Sequence, residues 1–280
     1  MRQQVLALLF ALFAAAASPA IASALPPIRI ILVGDSTMAV HSGWGPGFAA
    51  DLVPQVTITN MAKGGRSSGS YRAEGSWDKV LDELKRKADF TATYVLIQFG
   101  HNDEPGKPGR STDLATEFPA NMKRYVEDVV SNGANPVLIT PLTRRWFKDG
   151  RVRNDLAPWA EATRRVAAAA GVPVLDLNSD SVAAIEKMGP VEANTLAMAP
   201  PPRAVAEKAA DGNSVPAQPL QSATTNSAAV PANNVVERKG AAAPRFDYTH
   251  LGPKGSAFFG RMVADELARA VPDLRPYIKP

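Results

Sequence analysis

Ile28-Arg29-Ile30-Ile31-Leu32-Val33-Gly34-Asp35-Ser36-Thr37 joins an apolar run of strand length to a turn of small and polar residues. A run this rich in aliphatic residues is typical of a parallel strand that is buried on both faces. The turn places Ser36 at the carboxyl end of that strand, which is where open parallel sheets bind their ligands. The stretch therefore predicts a parallel sheet with Ser36 at its ligand-binding edge.

Strand-like and helix-like patterns alternate along the rest of the chain. Short apolar runs at 56–60, 94–99, 136–140 and 173–177 follow the first strand, and helical spacing of apolar residues occurs at 76–87, 118–130, 155–170 and 253–270. Such alternation is typical of a parallel sheet covered by helices on both faces. We therefore predict an α/β fold, a three-layer α/β/α sandwich around a five-stranded parallel sheet.

Three further polar motifs follow predicted strands or precede the last helix. They are Asn60-Met61-Ala62-Lys63-Gly64-Gly65-Arg66-Ser67, Gly100-His101-Asn102-Asp103 and Asp247-Tyr248-Thr249-His250. Because the carboxyl ends of parallel strands meet at one edge of a sheet, we expect these motifs to converge on Ser36.

The pattern of residue types indicates a serine hydrolase. A serine hydroxyl needs a base to take its proton, and of the three histidines only His250 follows a carboxylate by one helical turn. Asp247 can hold one ring nitrogen of His250 while the other faces Ser36. The alternative interpretation is that Asp247 to His250 only caps the last helix.

Acyl transfer also needs donors for the developing oxyanion. The amide of Ser36, the Gly64-Gly65 loop and the side-chain amide of Asn102 are the candidates, although Asn102 can equally form an Asx turn. His101 with Asp103 and Glu104 is a poor metal-ligand set, and solvated loop charge is the favoured interpretation.

A second serine competes for the role of nucleophile. Gly65-Arg66-Ser67-Ser68-Gly69 matches the Gly-x-Ser-x-Gly elbow of α/β-hydrolases. That elbow requires a strand directly before it and a helix directly after it. Met61 to Gly64 separate the motif from the predicted strand, so this alternative is disfavoured.

Together the motifs resemble the SGNH (GDSL) hydrolase superfamily, and in particular its rhamnogalacturonan acetylesterase branch. The similarity covers about residues 28–189 and 246–270 and includes Gly43-Trp44-Gly45 and Gly65-Arg66-Ser67. It implies a flavodoxin-like α/β/α fold with Ser36 as nucleophile, Asp247 as acid and His250 as base. It also implies oxyanion donors from Ser36, Gly65 and Asn102, no metal and no cofactor. The expected activity is removal of O-acetyl groups from plant-type polysaccharide.

Substrate contacts are predicted at two positions, each with an alternative. Trp44 can stack on a sugar ring or pack within its glycine-rich loop. Arg66 can bind a uronate carboxylate or brace its loop against an acid. The competing functions are a lipase or thioesterase of the same superfamily, which would need an apolar trough, and a non-catalytic glycan-binding protein.

The amino terminus predicts export. Arg2, the apolar run 5–17 and Ala22-Ser23-Ala24 form a signal-peptide pattern over residues 1–24, so we expect a periplasmic or secreted protein that begins at Leu25. An uncleaved anchor is the alternative. The chain has no cysteine, and its net charge of +4 comes from dispersed Lys and Arg residues, which argues against nucleic acid as a partner.

One segment of the predicted single domain 25–280 departs from the alternating pattern. Residues 190–243 are dense in Ala, Pro, Asn, Ser and Thr, and no aromatic residue occurs between Trp159 and Phe246. This composition predicts a disordered insertion. A lid over the site is the alternative, since long loops in compact domains are often functional.

Overall fold

The computed structural model describes residues 25–86, 90–215 and 245–280. Five parallel strands form the central sheet in the order β2-β1-β3-β4-β7, and β5 and β6 form a separate antiparallel hairpin. The strands are β1 Ile28–Gly34, β2 Val56–Asn60, β3 Ala92–Gln98, β4 Asn135–Ile139, β5 Phe147–Lys148, β6 Arg151–Val152 and β7 Val174–Leu175. The predicted five-stranded parallel sheet is confirmed.

Helices cover both faces of this sheet. They are α1 Gly45–Ala50, α2 Ser70–Ala73, α3 Ser76–Lys85, α4 Glu117–Ser131, α5 Ala157–Ala170, α6 Leu177–Asn194, α7 Arg203–Ala210 and α8 Pro253–Ala270, followed by a 3-10 helix at Pro272–Tyr277. The four helices that the sequence predicted correspond to α3, α4, α5 and α8, whereas α1, α2, α6, α7 and the β5–β6 hairpin were not predicted.

The alternation of side chains along β1 separates two cores. Ile30 and Leu32 pack in one core with Phe259 of α8, while Ile31 and Val33 pack in the other with Tyr125 of α4. Successive strand residues point to opposite faces, so a fully apolar strand needs a helical layer on each side. The structure supplies both layers, which confirms the three-layer α/β/α sandwich.

Two glycines allow α1 and α8 to cross closely. A Cβ atom on Gly47 would overlap the carbonyl oxygen of Ser256, and one on Gly260 would overlap the amide of Phe48. The amide of Gly47 also donates to Oγ of Ser256 at 3.1 Å. Helix α1 starts directly after the Ser36 turn, so this close packing holds the start of the site against the last helix.

The disorder prediction for 190–243 is wrong over residues 190–215. Helix α6 turns at Gly189 (φ 76°) and continues to Asn194, and α7 follows within the same segment. Leu196 is fully buried, and the amide of Ser214 donates to the carbonyl of Phe147 at 3.0 Å. Small apolar residues and main-chain hydrogen bonds therefore order this stretch without aromatic side chains.

Two predictions concern residues that the structure does not describe. The remainder of the predicted insertion, residues 216–243, and the predicted signal peptide, residues 1–24, lie outside the described residues. Within the described ranges, no helix combines the length and apolar character needed to cross a bilayer.

Candidate active site

The turn after β1 is fixed by a chain of buried hydrogen bonds. Oδ1 of Asp35 accepts from the amide and the hydroxyl of Thr37, both at 2.8 Å. Nε2 of Gln98 donates to Oγ1 of Thr37 at 2.6 Å, and Nε1 of Trp44 donates to Oε1 of Gln98 at 2.8 Å. This chain holds the backbone that carries Ser36 at the carboxyl end of the strand.

Trp44 does not contact solvent. Its relative exposure is 0%, and its ring packs edge-on against Phe48. A ring buried in the core cannot stack on a sugar, so the predicted substrate contact of Trp44 is wrong. Its position corresponds to the alternative interpretation, packing within the glycine-rich loop. In addition, its hydrogen bond orients Gln98.

Ser36, His250 and Asp247 form a hydrogen-bonded relay. Nε2 of His250 lies 2.9 Å from Oγ of Ser36, and Nδ1 of His250 lies 2.7 Å from Oδ2 of Asp247. Oδ1 of Asp247 accepts the amides of Thr249 and His250, each at 2.7 Å. These two amides fix the carboxylate in the orientation that the imidazole needs. The arrangement can pass a proton from a serine hydroxyl to a histidine.

The relay shifts the pKa values of both of its ionisable groups. Burial acts to raise the pKa of Asp247, but the hydrogen bond and charge of His250 and the two backbone amides outweigh burial and lower it to about 2. Burial acts to lower the pKa of His250, but the hydrogen bond and charge of Asp247 outweigh burial and raise it. Asp247 is therefore an anion at neutral pH, and it favours the imidazolium form of His250.

Arg145 holds the loop that carries the relay. Its guanidinium is buried and donates to the carbonyl oxygens of Asp247 at 2.8 Å, Thr249 at 3.3 Å and His250 at 2.9 Å. The amide of Arg145 also donates to the carbonyl of Tyr248 at 2.9 Å. Four contacts from one residue therefore fix the Asp247–His250 turn against the end of β4.

The predicted oxyanion donors surround Ser36. Gly65 has φ of +77°, a conformation that favours glycine and turns this loop toward the cavity. Nδ2 of Asn102 donates to the carbonyl of Arg66 at 3.0 Å, which leaves its second hydrogen available. Across the part of the chain that the structure describes, the amides of Ser36 and Gly65 donate to no protein acceptor. All three residues line one cavity, so the donors can converge on a single oxygen.

The Gly65–Gly69 elbow does not present a reactive serine. Ser67 and Ser68 both have 0% exposure. Oγ of Ser67 bonds Oγ of Ser70 at 3.1 Å, while Oγ of Ser68 donates to Oδ1 of Asp103 at 2.6 Å. Both serines therefore tie loops together, and the geometry supports Ser36 as the serine that faces a base.

Arg66 braces its loop. Its guanidinium pairs with Oε2 of Glu74 at 2.9 Å and donates to the carbonyl of Gly64 at 2.8 Å. These contacts correspond to the bracing interpretation, and they correct the prediction that Arg66 binds a uronate carboxylate. The cavity beside Ser36 is lined by other cations.

That cavity has a volume of about 440 Å³ and a basic wall. The described residues around it include three cations and no carboxylate; they are Ser36, Ser42, Gly64, Gly65, His101, Asn102, Lys107, Arg110, Arg144, Met198, Thr249 and His250. Among the described residues, no three His, Cys, Asp or Glu side chains are grouped so that they could hold a metal ion. The cavity therefore suits a small acyl group on a polar or anionic alcohol.

Sequence reasoning missed several contributors to this site, and three of them show why. Arg145 follows the end of β4 by six positions, so the strand-end rule that selected the other motifs could have found it. Arg110 lies seven positions after the Asn102 motif, within the same long loop. Met198 lies in the segment that was predicted to be disordered, and no pattern indicated that it lines the cavity.

The sequence is similar to those of known esterases. Residues 32–258 match the GDSL-like Lipase/Acylhydrolase family. Rhamnogalacturonan acetylesterase RhgT of Bacillus subtilis is 33% identical over 178 residues, which cover 61% of this chain and 73% of RhgT. The probable rhamnogalacturonan acetylesterase YesY of the same organism is 31% identical over 177 residues, covering 61% and 79%.

A solved structure shares the fold. The crystal structure of Bacillus subtilis YxiM superimposes with a TM-score of 0.60 at 20% identity, covering 87% of this chain and 56% of that chain. At this identity the likeness concerns the fold alone. With the family match, the chain belongs to the GDSL-like lipase/acylhydrolase family, the SGNH hydrolases, in the branch of its rhamnogalacturonan acetylesterase relatives, and is a carboxylic ester hydrolase.

Proposed function

We propose that this protein is an exported carbohydrate O-acetylesterase that acts on acetylated pectin-type polysaccharide such as rhamnogalacturonan. The observation that carries the proposal is the relay from Ser36 through His250 to Asp247 at the edge of a basic cavity. The names of the relatives RhgT and YesY support the substrate class. The signal-peptide pattern of residues 1–24 supports export.

The reaction begins with proton transfer from Ser36 to Nε2 of His250. Oγ of Ser36 then bonds to the carbonyl carbon of the acetyl group, and the carbonyl oxygen becomes an oxyanion. The amides of Ser36 and Gly65 and the free hydrogen of Asn102 stabilise that charge. Asp247 stabilises the imidazolium that forms on His250.

The first tetrahedral intermediate collapses to an acetyl-serine, which water then hydrolyses through a second one. The bond to the sugar oxygen breaks first, and His250 gives its proton to that oxygen, which leaves as a free hydroxyl. Water then loses a proton to His250 and attacks the acetyl-serine through a second oxyanion. Cleavage of the Ser36 ester returns the proton to Oγ and releases acetate. No redox step is needed.

The size and charge of the cavity support an acetyl group on a polyanion. Lys107, Arg110 and Arg144 line its wall. Lys107 and Arg144 are paired with Glu104 and Asp155, so among the described residues Arg110 supplies the uncompensated positive charge that attracts an acidic polymer. A volume of about 440 Å³ accommodates a sugar ring and a small acyl group. A long acyl chain would need an apolar trough in the protein.

Acetate release from a substrate panel tests the proposal. The panel contains acetylated rhamnogalacturonan, acetylated homogalacturonan, acetylated xylan and p-nitrophenyl esters of two to twelve carbons. We expect the highest kcat/KM on the acetylated pectins and a steep fall beyond about four acyl carbons. A maximum on long-chain esters would indicate a lipase or thioesterase, and no turnover of any ester would indicate a non-catalytic binding protein.

A further inference from the structure

Arg110 is a half-buried arginine in the cavity wall whose charge is not neutralised. Across the residues that the structure describes, its guanidinium makes one hydrogen bond, from Nη1 to Oδ1 of Asn102 at 3.4 Å, and no ion pair with a carboxylate. A contact of that length is near the limit for a hydrogen bond and is weak. Most of the donors of Arg110 therefore remain open to an incoming anion.

The other two cations of the wall are already paired. Nζ of Lys107 bonds Oε2 of Glu104 at 2.9 Å and also contacts the carbonyl oxygen of His101. Arg144 forms a bidentate pair with Glu104, at 3.0 Å and 2.6 Å, and a further bond with Asp155 at 2.7 Å. These cations maintain the loop structure, so an anion in the cavity has Arg110 as its available partner.

Arg110 also lies beside the oxyanion donors. It contacts the amide group of Asn102, and a Cβ atom built on Gly65 would lie 3.6 Å from its Nη1. An anion held by Arg110 is thus close to the ester carbon. On an acetylated polyuronate, the group next to the ester is a carboxylate on the acetylated sugar residue or on the adjoining one.

We propose that Arg110 binds the carboxylate of a uronic acid residue in the substrate and selects acidic over neutral acetylated polysaccharides. The guanidinium offers a planar fork that matches a carboxylate with two parallel hydrogen bonds. The inference rests on the proposed function, because it names the ligand that the polymer presents to the cavity. Arg110 thus takes the role of uronate contact that the sequence analysis predicted for Arg66, whose guanidinium pairs with Glu74.

A pair of polymers with free and with methyl-esterified carboxyl groups tests this role. Acetylated polygalacturonate is compared with the same polymer after methyl esterification, and p-nitrophenyl acetate serves as a small neutral ester. For Arg110→Gln we expect kcat/KM to fall about 10–100-fold on the acidic polymer, mainly through KM, and to fall less on the two neutral substrates, so that the ratio of acidic to neutral kcat/KM decreases by about 10-fold or more. Arg110→Lys should be intermediate, because it keeps the charge and loses the fork.

Arg165→Ala provides the matched control. Arg165 lies on α5, its side chain is 63% exposed, and its one ion pair within the described ranges is with Glu161, at 3.4 Å. The variant lowers the net charge by the same amount outside the cavity, so it should leave the ratio of acidic to neutral activity unchanged. An equal loss for Arg165→Ala would mean that the effect is general electrostatics and would overturn the proposal.

The remaining outcomes separate this proposal from the proposed function. An equal loss of kcat on all three substrates in Arg110→Gln would make Arg110 a positioning residue for Asn102 and would overturn carboxylate binding. If the wild type hydrolyses only p-nitrophenyl acetate, the proposed substrate is wrong, and Arg110 is tested through inhibition by oligogalacturonate. A Ki about 10-fold higher in Arg110→Gln supports the carboxylate site, whereas an unchanged Ki contradicts it.

Discussion

Arg145 donates a hydrogen bond of 2.9 Å to the main-chain carbonyl oxygen of His250, from 105 positions earlier in the chain. The histidine of the relay therefore depends on a buried cation in the loop between β4 and β5. Burial lowers the pKa of Arg145 to about 10, against the opposing charge of Asp247, and it remains cationic at neutral pH. The positive charge of Arg145 therefore interacts with the carbonyl dipoles of the Asp247–His250 turn.

Arg145→Met should loosen the Asp247–His250 turn. We expect kcat to fall about 10–100-fold, because a small displacement of a catalytic group is costly. Stability should fall by about 2–4 kcal/mol, since buried carbonyls lose their donors. Thermal unfolding and p-nitrophenyl acetate kinetics measure both effects. If Arg145→Met does not fold, Arg145→Lys is used; wild-type kcat in either folded variant would mean that the turn holds itself.

Asn102→Ala should lower kcat by about 10²–10³-fold with little change in KM, because the lost donor acts mainly in the transition state. Asn121→Ala is the control, since Nδ2 of Asn121 binds Oγ of Ser68 at 3.2 Å and does not line the cavity. Steady-state kinetics on p-nitrophenyl acetate distinguish the two. A rise in KM alone would identify Asn102 as a substrate contact, contrary to this prediction.

Activity should decrease as the pH falls through the pKa of His250. Only the neutral imidazole can accept the proton of Ser36, and Asp247 raises the pKa above its usual 6.5, so the loss should begin above pH 6.5. Asp247→Asn removes the anion, so it should shift the acidic limb of the kcat/KM profile to lower pH and reduce kcat on the order of 10²–10⁴-fold. A profile that stays flat to about pH 5 is incompatible with a histidine base.

Deletion of residues 217–243 with a short Gly-Ser linker should preserve folding and most activity on small esters. The segment lacks aromatic residues, and loop-closure entropy changes by about 1 kcal/mol or less on this scale. Two or three linker lengths guard against strain at Val215, whose amide donates to the hydroxyl of Tyr248 at 3.0 Å.

A longer deletion that starts at residue 195 provides the contrast. It removes α7, Leu196 and Met198, which are part of the fold and of the cavity wall. We expect this variant to unfold or to lose activity, as measured by circular dichroism and acetate release. If both deletions behaved alike, the prediction that residues 195–215 contribute more to the fold and to the cavity wall than residues 217–243 would be wrong.

The relay could be predicted because its geometry follows from local rules. A serine directly after a buried strand and a histidine three residues after an aspartate have few ways to be arranged at the edge of a parallel sheet. The structure brings Ser36 and His250 within 2.9 Å of each other, as the sequence predicted. The parallel sheet with a helical layer on each face follows from the alternation of apolar runs and helical patterns.

The substrate contacts could not be predicted, because they depend on partners distant in the chain. Trp44 is buried in the core and donates a hydrogen bond to Gln98, 54 positions away. Nothing in the local pattern around Trp44 indicates that pairing. Arg66 and Arg110 look alike in the sequence, yet Glu74 pairs with the first and no carboxylate pairs with the second among the described residues. The lack of aromatic residues in 190–243 led to a prediction of disorder there, although Leu196 of this segment is buried.

The rate of p-nitrophenyl acetate hydrolysis by Ser36→Ala tests the central claim, that Ser36 is the nucleophile activated by His250. Ser67→Ala is measured beside it, because Ser67 belongs to the competing motif and has no exposure. The account predicts that Ser36→Ala folds normally and loses at least about 10³-fold in kcat, while Ser67→Ala keeps most of its activity. A folded Ser36→Ala enzyme within about tenfold of the wild-type rate would contradict it.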